Sequence, residues 1–83
     1  MTRYWFQFEI DDASARAYAS WARVRGGCGV TACDYMDACA VLREKVFGGD
    51  PFPLVLVASE DPPPSELPTG ATPAETRGVW FPV

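Results

Sequence analysis

Tyr4, Phe6, Phe8 and Ile10 alternate with Trp5, Gln7 and Glu9 at the head of the chain. A period of two is that of a strand with one face buried, so a first strand is predicted over 3–10. Asp11 and Asp12 end it and offer an N-cap to an alanine-rich segment in which Ala13, Ala17, Trp21 and Val24 share one helical face. A short helix over 12–22 follows from that spacing. Arg23, Val24 and Arg25 also suit an extended chain, and the competing reading runs a strand backward from Cys28; alanine's helix propensity decides for the helix in the first part.

Gly26 and Gly27 break the pattern, and the run Cys28 to Cys33, with β-branched Val30 and Thr31, reads as a short buried strand. Asp34 is an N-cap candidate with Asp37 at the N3 position, and Met36, Cys39, Ala40, Leu42, Val46 and Phe47 supply an apolar side. The main helix is therefore placed over 35–47. Arg43 and Lys45 lie in its last turns, where cations complement the dipole, and Gly48-Gly49 closes it. After Pro51 and Pro53, the unbroken run Leu54-Val55-Leu56-Val57-Ala58 reads as a central strand, buried on both faces or covered on one by the helix. From Ser59 to Thr76 the chain is rich in proline, acids and small polar residues, a composition for a long surface loop or arm. Gly78 to Val83 is again strand-like, and Pro82, which cannot donate a ladder hydrogen bond, places it at an edge. The order predicts an α+β fold: a small, mostly antiparallel sheet of about four strands, one main helix packed on one face, and a second short helix.

At 83 residues the chain has room for one core, so 1–83 is read as one domain, with 59–76 as an arm within it. Such short chains bury only ~60–65% of their unfolded surface, which favours help from a partner or a homodimer. Eleven acids against seven bases, net charge -4, disfavour direct nucleic-acid binding. No apolar run reaches the length of a membrane span, and the N-terminus lacks a charged region followed by an apolar core and cleavage site. A cytoplasmic location is expected, and a reducing compartment accommodates the three cysteines Cys28, Cys33 and Cys39 without pairing.

Three segments carry a family resemblance: Tyr4-Trp5-Phe6-Gln7-Phe8; Gly27-Cys28-Gly29-Val30-Thr31-Ala32 with Asp34, Ala38, Leu42-Arg43 and Val46-Phe47; and Arg77-Gly78-Val79-Trp80-Phe81-Pro82. Together they resemble a family of small uncharacterised bacterial proteins of about this length. The proline arm departs from that pattern, since other members carry a more ordered-looking acidic segment there. The family has no established activity, so the resemblance implies a fold and no mechanism.

The chain has no histidine, hence neither the commonest general base nor the commonest metal ligand. Four and then five residues separate the cysteines, which is not the close pair of a zinc knuckle or a thiol-disulfide enzyme. Asp34 and Asp37 are explained as caps, and Gly26-Gly27 with Gly29 fits neither phosphate-binding fingerprint. No catalytic residue, metal or cofactor is assigned. Trp5 and Trp80 fall opposite the core-facing residues of their strands, so both are candidates for an exposed aromatic patch, with Glu9 on the same side of the first strand. Cover by the arm or the short helix is the alternative. Glu60, Asp61, Glu66 and Glu75 around the arm offer a negative rim for a basic partner.

The leading expectation is a small acidic, non-enzymatic protein that binds a partner protein, with Trp5, Glu9, Glu60, Asp61, Glu66 and Trp80 at the contact. Immunity and anti-CRISPR inhibitors share this size and acidity, an analogy of bulk properties only. The alternative is a thiol-based redox or metal-responsive protein, which requires an exposed thiol of lowered pKa near Arg23 or Arg25. A third reading has the acidic surface occupying a nucleic-acid-binding groove in place of the nucleic acid.

Overall fold

The four strand-like runs pair into one antiparallel sheet, seen in a computed structural model that describes residues 1–82. The strands are β1 (Thr2–Glu9), β2 (Cys28–Ala32), β3 (Leu54–Glu60) and β4 (Gly78–Trp80), in the spatial order β3-β1-β2-β4. Val83, included in the expected terminal strand, lies outside the described residues. Among the described residues three α-helices, α1 (Asp12–Ala17), α2 (Ala19–Arg23) and the main helix α3 (Tyr35–Leu42), which runs on through a π-helical turn, Arg43–Phe47, and a single 3-10 turn, Pro64–Glu66, complete the fold. The architecture is thus α+β, an open four-stranded antiparallel sheet with one main helix and shorter ones beside it.

Side-chain alternation builds the core. Tyr4, Phe6 and Phe8 of β1 and Cys28, Val30 and Ala32 of β2 meet Ala38, Val41, Leu42 and Phe47 of the main helix, with Val24 closing one side. Of the acids expected as caps, Asp11 and Asp34 are the N-caps: Asp11 accepts from the Ser14 N–H at 2.6 Å and Asp34 from the Asp37 N–H at 2.8 Å.

Three expectations about burial are corrected. The single helix over 12–22 is broken at Tyr18, whose extended backbone (φ -126, ψ 115) caps α1 and starts α2. That break re-aims the chain, so Ser20 and Val24 turn inward while Ala13 and Ala17 stay exposed. Two hydrogen bonds hold the new direction, Ser20 Oγ to Asp50 at 2.6 Å and Trp21 Nε1 to the Pro51 carbonyl at 2.8 Å. In the main helix the inward face is Ala38, Val41, Leu42 and Phe47, whereas Met36 and Ala40 are exposed and Cys39 is half-buried. Of the side named from the sequence, Leu42 and Phe47 are buried and Val46 packs against the core, while Ala38 and Val41 take the places expected of Met36, Cys39 and Ala40.

The third correction concerns β3, which is an edge strand and not a central one. β1 takes the inner position because it pairs with β2 on one side and β3 on the other. An unbroken apolar run specifies a strand but not its neighbours. Of that run only Val55 packs on the core; Leu54, Leu56 and Val57 are 64%, 60% and 43% exposed. Between Gln7↔Val57 and Phe8↔Val55 the register shifts, leaving Leu56 as the extra residue of a bulge. β4 does lie at an edge, as Pro82 required, beside β2.

Candidate functional site

The face of the sheet turned away from α3 is where the candidate residues collect. Cross-strand pairing aligns Trp5, Gly29 and Trp80 in one row over three strands. With no side chain at Gly29, the two indoles approach across it, their ring centroids 5.8 Å apart. A Cβ at Gly29 would lie 2.1 Å from Trp80 Cδ2, and one at Gly27, whose φ is +101, would lie 2.3 Å from Trp5 Cζ2. These glycines form the floor on which the tryptophans rest.

Trp5 and Trp80 are only 4% and 6% exposed, so the exposed aromatic patch expected from alternation does not exist. Alternation assigns a side chain to a face and leaves open what covers that face. The cover is the arm, which returns over it after β3. Trp80 Nε1 donates to Thr31 Oγ1 at 3.2 Å, and that hydroxyl donates to the Ala74 carbonyl at 2.6 Å. The same carbonyl accepts from Arg3 Nε at 3.4 Å. At the near end, Arg3 N donates to Asp61 Oδ1 at 2.9 Å while the Asp61 N–H donates to the Arg3 carbonyl at 2.6 Å, and Asp61 takes the left-handed backbone that this turn needs (φ 44).

The far end of the arm is clamped to the main helix. Arg77 donates to both carboxylate oxygens of Asp37, at 2.8 Å from one nitrogen and 3.1 Å from the other, and Asp37 also accepts from the Cys33 N–H at 3.0 Å. The Arg77 hydrogen bonds, then the Cys33 amide, hold the Asp37 carboxyl down at about 2. Because the folded value is depressed, the clamp contributes fully above the ordinary value of 3.8 and is lost as pH falls through about 2. In Arg77→Ala the amides of residues 74–78 are expected to exchange with solvent faster already at neutral pH. Exchange as slow as in the native chain would mean that the clamp does not hold the arm.

Between arm and sheet lies a groove of about 510 Å³, lined by Met1, Pro62, Pro64, Leu67, Pro73 and Trp80, with Arg3, Asp61 and Glu75 as its charged groups. Arg3 sits 4.0 Å from Glu75, a carboxylate almost wholly in solvent. Of the residues expected to touch a partner, Asp61 lines this groove, Glu60 precedes it, and Glu66 is exposed between Pro64 and Leu67. Trp80 lines the groove from beneath and Trp5 stacks on Trp80. Glu9 is brought elsewhere, opposite Leu54 at the other end of β1. Sequence reasoning missed Arg3 and the groove's apolar lining; the available signal was that Arg3 shares the Trp5 face of β1.

No thiol is paired in a disulfide. Cys28 is a core residue, and burial pushes its thiol up to about 12 against the smaller opposing pull of Arg23, the reverse of what a reactive thiol requires. Cys33 is exposed and Cys39 half-buried. Among the described residues no group of three or more potential ligands is gathered to hold a metal ion, and no helix is long and apolar enough to cross a membrane. No family model, curated protein or solved structure matches this chain.

Proposed function

We propose that this chain is a non-enzymatic protein that acts by binding a partner protein on its arm face. The observation that carries the reading is the groove under the docked arm: an apolar lining of prolines, Leu67 and Met1, with two acidic side chains, Asp61 and Glu75, against the one basic side chain of Arg3. Exposed Glu66 extends that negative border, whereas Glu60, opposite Tyr4, stands on the helical side of the sheet. An apolar cleft with a charged rim suits a projecting apolar side chain on a basic surface, the cleft supplying contact area and the rim selecting the charge. The net charge of -4 works in the same direction at long range. Prolines lower the conformational entropy lost when such a surface is engaged, so the arm is suited to recognition as it stands. An inhibitor that acts by occupying a basic site on its target fits these properties.

The test compares the immobilised native chain with a Glu66→Lys/Glu75→Lys variant for the proteins each captures. Both side chains are in solvent, and the Glu75 ion pair with Arg3 is an exposed one that contributes little to folding. Basic proteins held by the native chain are expected to be depleted at least about tenfold on the variant, the equivalent of ~1.4 kcal/mol. Identical capture profiles would rule the arm face out as the contact.

A further inference from the structure

The uncovered edge of the sheet lies on the other side of the molecule from β4. β3 is a seven-residue strand whose outer side has no neighbouring strand among the described residues, and its residues Leu54 to Ser59 carry no charge. Edge strands of folded proteins are usually blunted by lysine, proline, an inward charge, a β-bulge or a covering loop. Here Pro53 precedes the strand, the acids stand only at its far end, and the bulge at Leu56 is the sole interruption of the ladder. Leu54, Leu56 and Val57 are left in solvent beside unused backbone donors and acceptors.

We infer that β3 pairs antiparallel with β3 of a second copy of this chain, joining the two four-stranded sheets into one continuous sheet. Charge selects this occupant and this direction. One end of β3 is acidic, Glu60 followed by Asp61; the other adjoins Phe52, over whose ring the Arg43 guanidinium lies 4.9 Å from the centroid. An antiparallel register centred on the strand sets the acidic end of each copy against the Arg43 end of the other, twice over by symmetry. A parallel register would stack acid on acid. Glu60 pairs with Tyr4 and so faces the helical side, the side on which Arg43 and Phe52 sit, whereas Glu9 is on the opposite face with Trp5 and adds no repulsion to that contact.

Two identical antiparallel strands are related by an axis perpendicular to their sheet. Both main helices therefore lie on one side of the joined sheet and both arms on the other, so the dimer presents two acidic grooves on one face. Pairing covers the apolar edge that a chain of this size has little core to offset.

Light scattering on the full chain reads the result. The native protein is expected at twice its 9.1 kDa chain mass. Leu56→Lys and Val57→Lys, both at exposed positions, are expected to run as folded monomers, with dimer dissociation constants raised at least about tenfold and unchanged circular dichroism. Glu60→Arg is expected to weaken the dimer and Glu60→Arg with Arg43→Glu to restore it. A native chain that stays monomeric up to about 100 μM, near which an ordinary interface is saturated, overturns the inference. So does a dimer indifferent to lysine at 56 and 57, or an open polymer in place of a closed pair. None of these outcomes alters the capture experiment on the arm face, so the two proposals stand or fall separately.

Discussion

Gly29→Ala is expected to lower the melting temperature by ~12–24 °C, the consequence of about 3 kcal/mol lost from a domain this small. The new methyl carbon would sit 2.1–2.2 Å from three atoms of the Trp80 ring system, far inside contact distance. That indole cannot turn aside, because Trp5 lies against it and its Nε1 is engaged by Thr31. β4, only three residues long, would have to leave its place beside β2. A chain of this length has ~4–12 kcal/mol of total stability, so the loss is a large part of the whole. Gly26→Ala and Gly49→Ala, where an added methyl meets nothing within 4 Å, serve as controls and are expected to change little. Thermal melts of the three variants make the comparison; equal melting temperatures for Gly29→Ala and the controls would mean that the indoles do not meet over Gly29.

Trp80→Ala is expected to cost ~3–5 kcal/mol, the usual range for deleting a buried aromatic ring. Two structures lose their support together. Trp5 is left without its stacking partner, and the groove loses its floor together with the hydrogen bond that orients Thr31 toward Ala74. Proteolytic cutting within 62–75 should accompany the loss of stability. The double variant Gly29→Ala/Trp80→Ala should be no less stable than Trp80→Ala alone, because the methyl group then meets empty space. Denaturant melts giving additive losses would place the cost of Gly29→Ala somewhere other than the indole.

Much of one face was legible in the sequence. Tyr4, Phe6 and Phe8 report their burial through their spacing, and Asp11 and Asp34 report helix starts because few other roles suit an acid before an amphipathic run. The second face was not legible in that way. Trp5 reads as an outward residue by the same alternation, and what packs on it is Trp80, seventy-five positions later, with Gly27 against its ring. Gly27 and Gly29 are needed for contacts with rings on distant strands, so locally Gly27 reads only as a break in the pattern and Gly29 only as one residue of a short strand. The five apolar residues from Leu54 look central because apolar residues are normally covered, and they lie at the edge because β1 already holds the inner position. The acids Glu60, Asp61 and Glu66 were read from composition, but which of them reaches the groove depends on how the arm folds back: Asp61 lines it, and Glu60 faces the other side of the sheet.

The arm face is the centre of this account, and a binding isotherm tests it most directly. A partner captured by the native chain is purified and titrated against the native chain and Glu66→Lys/Glu75→Lys, each at low and at raised salt. Binding at least about tenfold weaker is expected for the variant, and for the native chain a loss of affinity as salt screens the acidic rim. Equal affinities for the two chains at both salt concentrations would contradict it.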